Sequence, residues 1–195
     1  MTRTRRIFFT GVPGSRWSGI AQTLEQLPGF NTSDRTPART YSHGGFSGHV
    51  GVYFGQGMEF EPYLDADHID SAWSQPGGTR MVKSHDWCSR LPEVAQSFPY
   101  DRIMLVYRPD LASYAWWHQA GGFDIKYPRY DHYRDSTTIM AAISQQNQQI
   151  LSYAHDRDAQ WNYFTRDWIH QNFGVPVSVP QTYPDILVAL IPCRP

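Results

Sequence analysis

The chain has 195 residues, with 17 Lys and Arg against 18 Asp and Glu for a formal net charge of −1. That length fits one domain with a substantial core, and the balanced charge excludes a chain-wide field that would draw the protein to nucleic acid or to an anionic membrane. No apolar stretch approaches the length of a membrane span, and the basic-then-apolar start "MTRTRRIFFTGVPG" is too short for a signal peptide and is broken by Gly11 and Pro13. The expectation is a soluble, cytoplasmic protein. Cys88 and Cys193 lack Cys-x-x-Cys spacing, so neither a disulfide framework nor a zinc knuckle is indicated. The 10 Phe, 12 Tyr and 7 Trp predict a core of packed rings.

In chain order, the apolar run 6–10 predicts a buried strand, and 18–27, with Ile20, Leu24 and Leu27 on one face, predicts a helix. Between them lies "GVPGSRWS". A strand, a glycine-rich turn and a helix start together make a common anion cradle, because unpaired backbone N–H groups and the helix dipole point at the ligand. The Gly-Lys-Ser/Thr ending of the nucleotide-triphosphate version is absent. Residues 31–78, dense in glycine and aromatics, read as an insertion of irregular turns or a hairpin. Regularity returns with a strand at 80–84, a helix near 90–97 and a strong strand at 102–107. Asp110 is placed to cap the helix that runs through Ala120. A longer helix is predicted over 137–155, then a short strand and a helix stopped by Gly174. "DILVALI" is either a last strand or a docked tail.

Strands alternating with helices predict a three-layer α/β fold with a mainly parallel central sheet. Ligands in such sheets bind beyond the carboxyl ends of the strands. Three polar clusters follow strand ends: the loop 11–18, then Lys83, Ser84 and His85, then Arg108 with Ser113. A parallel sheet would bring all three to one rim, suited to a ligand with two separated anionic groups.

In order, type and position these three islands, "GVPGSRWS", "TRMVKSHDW" and "DRIMLVYRPDLASYAWW", resemble the sulfotransferase family. Its members carry Pro-Lys-Ser-Gly-Thr-Thr after the first strand, then Lys-Thr-His, then a strand ending in arginine with a serine on the next helix. The likeness covers roughly 5–117. It implies a P-loop-like sulfotransferase domain that uses 3′-phosphoadenosine-5′-phosphosulfate, releases adenosine 3′,5′-bisphosphate and needs no metal. The loop residues Gly14, Ser15, Arg16, Trp17 and Ser18 would hold the 5′-phosphosulfate, and Arg108 and Ser113 the 3′-phosphate, arginine donating two parallel bonds to phosphate oxygens. His85 would take the proton from the hydroxyl or amine of a small-molecule or glycan acceptor, and Lys83 would balance charge on the moving group. Gly14 stands where the family has its loop lysine, so the resemblance leaves Arg16 or Lys83 to supply that cation. Arg108 and Ser113 are five apart where the family shows eight.

Two other readings stay open: a nucleotide or small-molecule kinase with a degenerate phosphate loop, and a nucleotide-binding module without turnover. Elsewhere, "DADHID" at 65–70 reads as a solvated acidic turn rather than a cation site. His43 and His49 read as loop polarity. Trp116, Trp117 and His118 read as helix core or as the border of an acceptor site.

Overall fold

The computed structural model of the chain describes residues 5–42, 48, 50–125, 134–174 and 182–194. The central sheet has five strands, in the order 79–83, 5–11, 102–107, 183–192 and 162–164. β1 (Arg5–Gly11), β4 (Thr79–Lys83) and β5 (Arg102–Tyr107) run parallel, in the register Ile7↔Met81 and Ile7↔Arg102. β7 (Tyr183–Pro192) pairs antiparallel with both β5 and β6 (Asn162–Phe164). The sheet is therefore mixed, which corrects the expectation of a mainly parallel one. "DILVALI" is a strand, and it runs backwards because its start, not its end, meets the end of β5.

Strict alternation along the strands splits the core in two. Phe8, Val82, Ile103, Leu105 and Ala189 face one side, against Val94 of α3 (Leu91–Ser97), Trp117 of α4 (Asp110–Gln119) and the Ile139, Ile143 and Ile150 row of α5 (Ser136–Asp156). Ile7, Phe9, Met81, Met104 and Val188 face the other, against Ile20 and Leu24 of α1 (Trp17–Glu25) and Trp168 and Ile169 of α6 (Arg166–Phe173). Each such side chain taken fully from water contributes about 1.5–3 kcal/mol. The result is three layers, with helices on both faces of the sheet.

Insertion residues 31–78 hold a two-stranded antiparallel pair, β2 (Thr40–Ser42) with β3 (Val50–Val52), and a short helix, α2 (Ala66–Asp70). The acidic stretch read as a turn is that helix. Asp65 caps it by accepting from the His68 N–H, and Asp70 pairs with both Arg6 and Arg80. Among the described residues no cluster of three His, Cys, Asp or Glu side chains is set to hold a metal ion. His43 and His49 lie outside the described residues. No helix among the described residues is long and apolar enough to cross a membrane.

One predicted cap is also corrected. Pro109 occupies the N-cap of α4 without a side-chain bond, while Asp110 lies inside the helix and accepts from the Asn147 side-chain amide at 2.6 Å.

Candidate anion-binding site

The loop from Gly11 to Arg16 crosses the carboxyl end of β1 and turns into α1. Its shape follows from two residues with positive φ. Gly14 has φ 76°, and a Cβ there would lie 1.9 Å from the Ser113 carbonyl oxygen. The first turn of α4 thus packs directly on the loop backbone, and this is why no lysine side chain can stand at that position. Arg16, with φ 63°, is the N-cap of α1, a left-handed conformation a non-glycine residue enters only when its surroundings hold it. Its side chain does not cap the helix. The positive dipole end of α1 is left to whatever sits over the loop.

Ser15, His85, Arg108 and Ser113, far apart in sequence, all gather on this loop. Ser15 is fully buried and its hydroxyl has no hydrogen-bond partner among the described residues. An orphaned buried hydroxyl costs free energy unless something supplies the missing bond. The His85 ring, 5% exposed, bonds through Nδ1 to the Gly11 carbonyl and lies 4.3 Å, centroid to centroid, from Trp17. A carbonyl can only accept, so Nδ1 carries the proton and the lone pair of the neutral ring is on Nε2. The His85 N–H donates to the buried Glu59 carboxylate at 2.7 Å, fixing the backbone that presents the ring. The Arg108 guanidinium donates to the Gly14 carbonyl at 3.3 Å.

Two guanidiniums share this rim. Arg16 lies 3.4 Å over the Trp116 ring and 5.5 Å from the centre of Tyr183, to whose hydroxyl it also bonds. Burial lowers the Arg108 pKa, and the nearby Arg16 charge lowers it further against the pull of Asp185. Asp185 is the one ion-pair partner of Arg108 among the described residues, at 3.6 Å with its carboxylate 64% exposed, which gives weak compensation. The rim carries concentrated positive charge in a chain of near-zero net charge.

Of the remaining sequence-predicted residues, Ser113, Trp17 and Ser18 hold this arrangement from within. Ser113 is buried and donates to the Arg108 carbonyl at 3.1 Å. Asn147 of α5 donates to the same carbonyl at 2.9 Å, a contact no spacing in the sequence announces. Trp17 is buried between Phe9 and His85, and Ser18 bonds to the Tyr53 hydroxyl. Lys83 leaves the rim altogether. It is 1% exposed, on the α1 face of the sheet, and its ammonium is bonded to Glu25. Of the aromatic run on α4, Trp117 is core while Trp116 borders the site through Arg16.

Tyr183, Asp185 and Glu59 are site residues that sequence reasoning missed. The first two open β7, and only an antiparallel strand brings its beginning to the rim where parallel strands end. Searches against family models, characterised proteins and solved structures found no match to this chain.

Proposed function

We propose that the loop site binds a nucleotide with two separated anionic groups and that the chain is a sulfotransferase, moving a sulfuryl group from 3′-phosphoadenosine-5′-phosphosulfate to an acceptor hydroxyl. The observation that carries this reading is the convergence on one glycine loop of an unpartnered buried Ser15 hydroxyl, two weakly compensated guanidiniums and a histidine whose basic nitrogen is Nε2. The loop N–H groups and Ser15 take the phosphosulfate end, where helix dipole and backbone donors favour negative charge. Arg108 takes the 3′-phosphate, with Ser113 and Asn147 holding its turn. Arg16 supplies the cation that the absent loop lysine would have given, since Lys83 is engaged by Glu25.

His85 Nε2 removes the proton of the attacking hydroxyl, the Nδ1–H bond to Gly11 holding the ring in the required tautomer. The sulfuryl group passes in line to the acceptor oxygen while the bond to the leaving phosphate breaks. By analogy with loose phosphoryl transfer, positioning and fixed charge supply most of the acceleration.

The test is calorimetry with adenosine 3′,5′-bisphosphate in the absence of magnesium, followed by transfer from the labelled donor to a panel of hydroxyl acceptors. Binding abolished by Arg108→Ala, and transfer lost in His85→Ala with binding retained, support the proposal. Binding without any transfer leaves a nucleotide-binding module. Preference for ATP with magnesium indicates a kinase and overturns it.

A further inference from the structure

A groove separate from the loop lies on the α5 face of the sheet, between α5 and the 3₁₀ turn His85–Ser89. It has a volume of about 480 Å³, and Ala141 and Ala142 keep its α5 wall low. That is the size of a site for a small organic molecule. Its polar lining includes Asp86, Ser89, Thr138, Gln145, Gln146 and Gln149.

Two acceptors in this lining have no donor among the described residues. The Gln146 Oε1 atom is buried and makes no hydrogen bond to any of them. The Asp86 carboxyl is pushed above the usual carboxylate range by burial alone, with no charge or hydrogen bond among the described residues drawing it back. The Asp86 N–H is satisfied by the Ser84 hydroxyl, so the turn is held without help from the carboxylate. Arg134 and Cys88 are the other titratable groups of the lining. Arg134 is exposed, and burial pushes the Cys88 thiol up to about 12, so it stays neutral and donates to Gln149.

A half-buried carboxylate without a counter-ion is stabilised most by a cation that also donates hydrogen bonds. One carboxylate among neutral amides and hydroxyls makes a poor calcium site, which takes six to eight oxygen ligands and gains affinity from their charge. We propose that this groove binds an organic ammonium ion bearing hydroxyl groups, its ammonium on Asp86 and Gln146 Oε1 and its hydroxyls on the side chains of Ser89, Thr138, Gln145 and Gln149. Those side chains offer both donors and acceptors, which matches hydroxyls, while Ala141 and Ala142 face the carbon skeleton that carries them. The site stands whether or not the loop handles a phosphosulfate.

The experiment is calorimetric titration of the full chain at neutral pH with glucosamine and with glucose, its neutral counterpart. Glucosamine is expected to bind at least about tenfold more tightly than glucose, roughly the effect of one charge-assisted bond. Asp86→Asn should erase that preference, and Gln146→Leu should weaken glucosamine, with both variants at least as resistant to denaturant as the parent. In a carbon-detected NMR titration the Asp86 carboxyl should titrate above its ordinary value in the free protein and fall when glucosamine is added. Absence of glucosamine binding, equal affinity for the two sugars, a preference that survives Asp86→Asn, or an Asp86 carboxyl titrating in the ordinary range in the free protein would each overturn the proposal.

Discussion

Replacing Gly14 with alanine tests the packing on which the loop site depends. Two costs add. A Cβ at φ 76° puts an L residue in the left-handed region, about 1–2 kcal/mol. The same Cβ would lie 1.9 Å from the Ser113 carbonyl oxygen and 2.8 Å from the Trp117 Cβ, so the first turn of α4 must shift, and overpacking of that kind costs about 1–3 kcal/mol. The expected loss is about 2–5 kcal/mol by these two terms. Gly174→Ala is the control, because φ is 66° there and nothing among the described residues lies within 4 Å of the added atom. It should lose the backbone term alone, about 1–2 kcal/mol. Urea unfolding of the three proteins measures both, at constant slope. The shift of α4 also carries the Arg108 contact with Gly14, so Gly14→Ala should weaken adenosine 3′,5′-bisphosphate while Gly174→Ala does not. Equal losses of stability in the two variants would refute the claim that α4 packs on the loop backbone.

Arg108→Lys keeps the charge and removes the planar fork, and affinity for adenosine 3′,5′-bisphosphate should fall about 10–100-fold with its salt dependence left intact, read by calorimetry at two ionic strengths. Lys83→Met leaves Glu25 buried with only the half-exposed Arg35 as partner, so stability should drop, by less than the roughly 3–5 kcal/mol of a wholly unpaired buried charge; adding Glu25→Leu should recover most of it in denaturant titrations. Asp86 binds its proton more tightly folded than unfolded, so the parent should lose stability as pH rises from the ordinary aspartate range through its raised folded value, and Asp86→Asn should flatten that part of the profile. Asp135 has the opposite sign: bonds from the Thr138 backbone and hydroxyl hold its carboxyl low, so the capping box at the start of α5 stabilises above the ordinary range and is lost on acidification, a slope that Asp135→Ala should remove.

Most of the fold was legible where periodicity and punctuation agree. β5 falls at the predicted 102–107, and α6 stops at Gly174 in the left-handed conformation that a C-cap requires. The direction of β7 was not legible, because hydrophobic alternation is the same read either way and only its partner decides. The Asp110 cap failed for a related reason. Its carboxylate would satisfy an N-terminal N–H, yet Asn147, 37 residues later, offers a stronger partner that no local pattern contains. The helix at 66–70 was hidden by its brevity, and it exists because Asp65 caps it and Asp70 is held by two arginines from neighbouring strands.

The site was legible as a set of strand ends and not as a distribution of charge. Spacing places Lys83 and Arg16 equally near the rim, but a strand side chain has only two faces to choose from. Lys83 follows Val82, which faces α5, so it must point to the α1 side, where Glu25 receives it. Arg16 has no such constraint. Its left-handed backbone turns the side chain out of the helix line and onto Trp116 and Tyr183. The rim therefore has two arginines instead of the lysine and arginine expected from the motif, with Arg108 disfavoured by its own burial and further by the Arg16 charge. A chain of net charge −1 keeps two like charges at one loop against that repulsion, beside an unpaired buried hydroxyl, and an anion at the start of α1 would relieve all three at once.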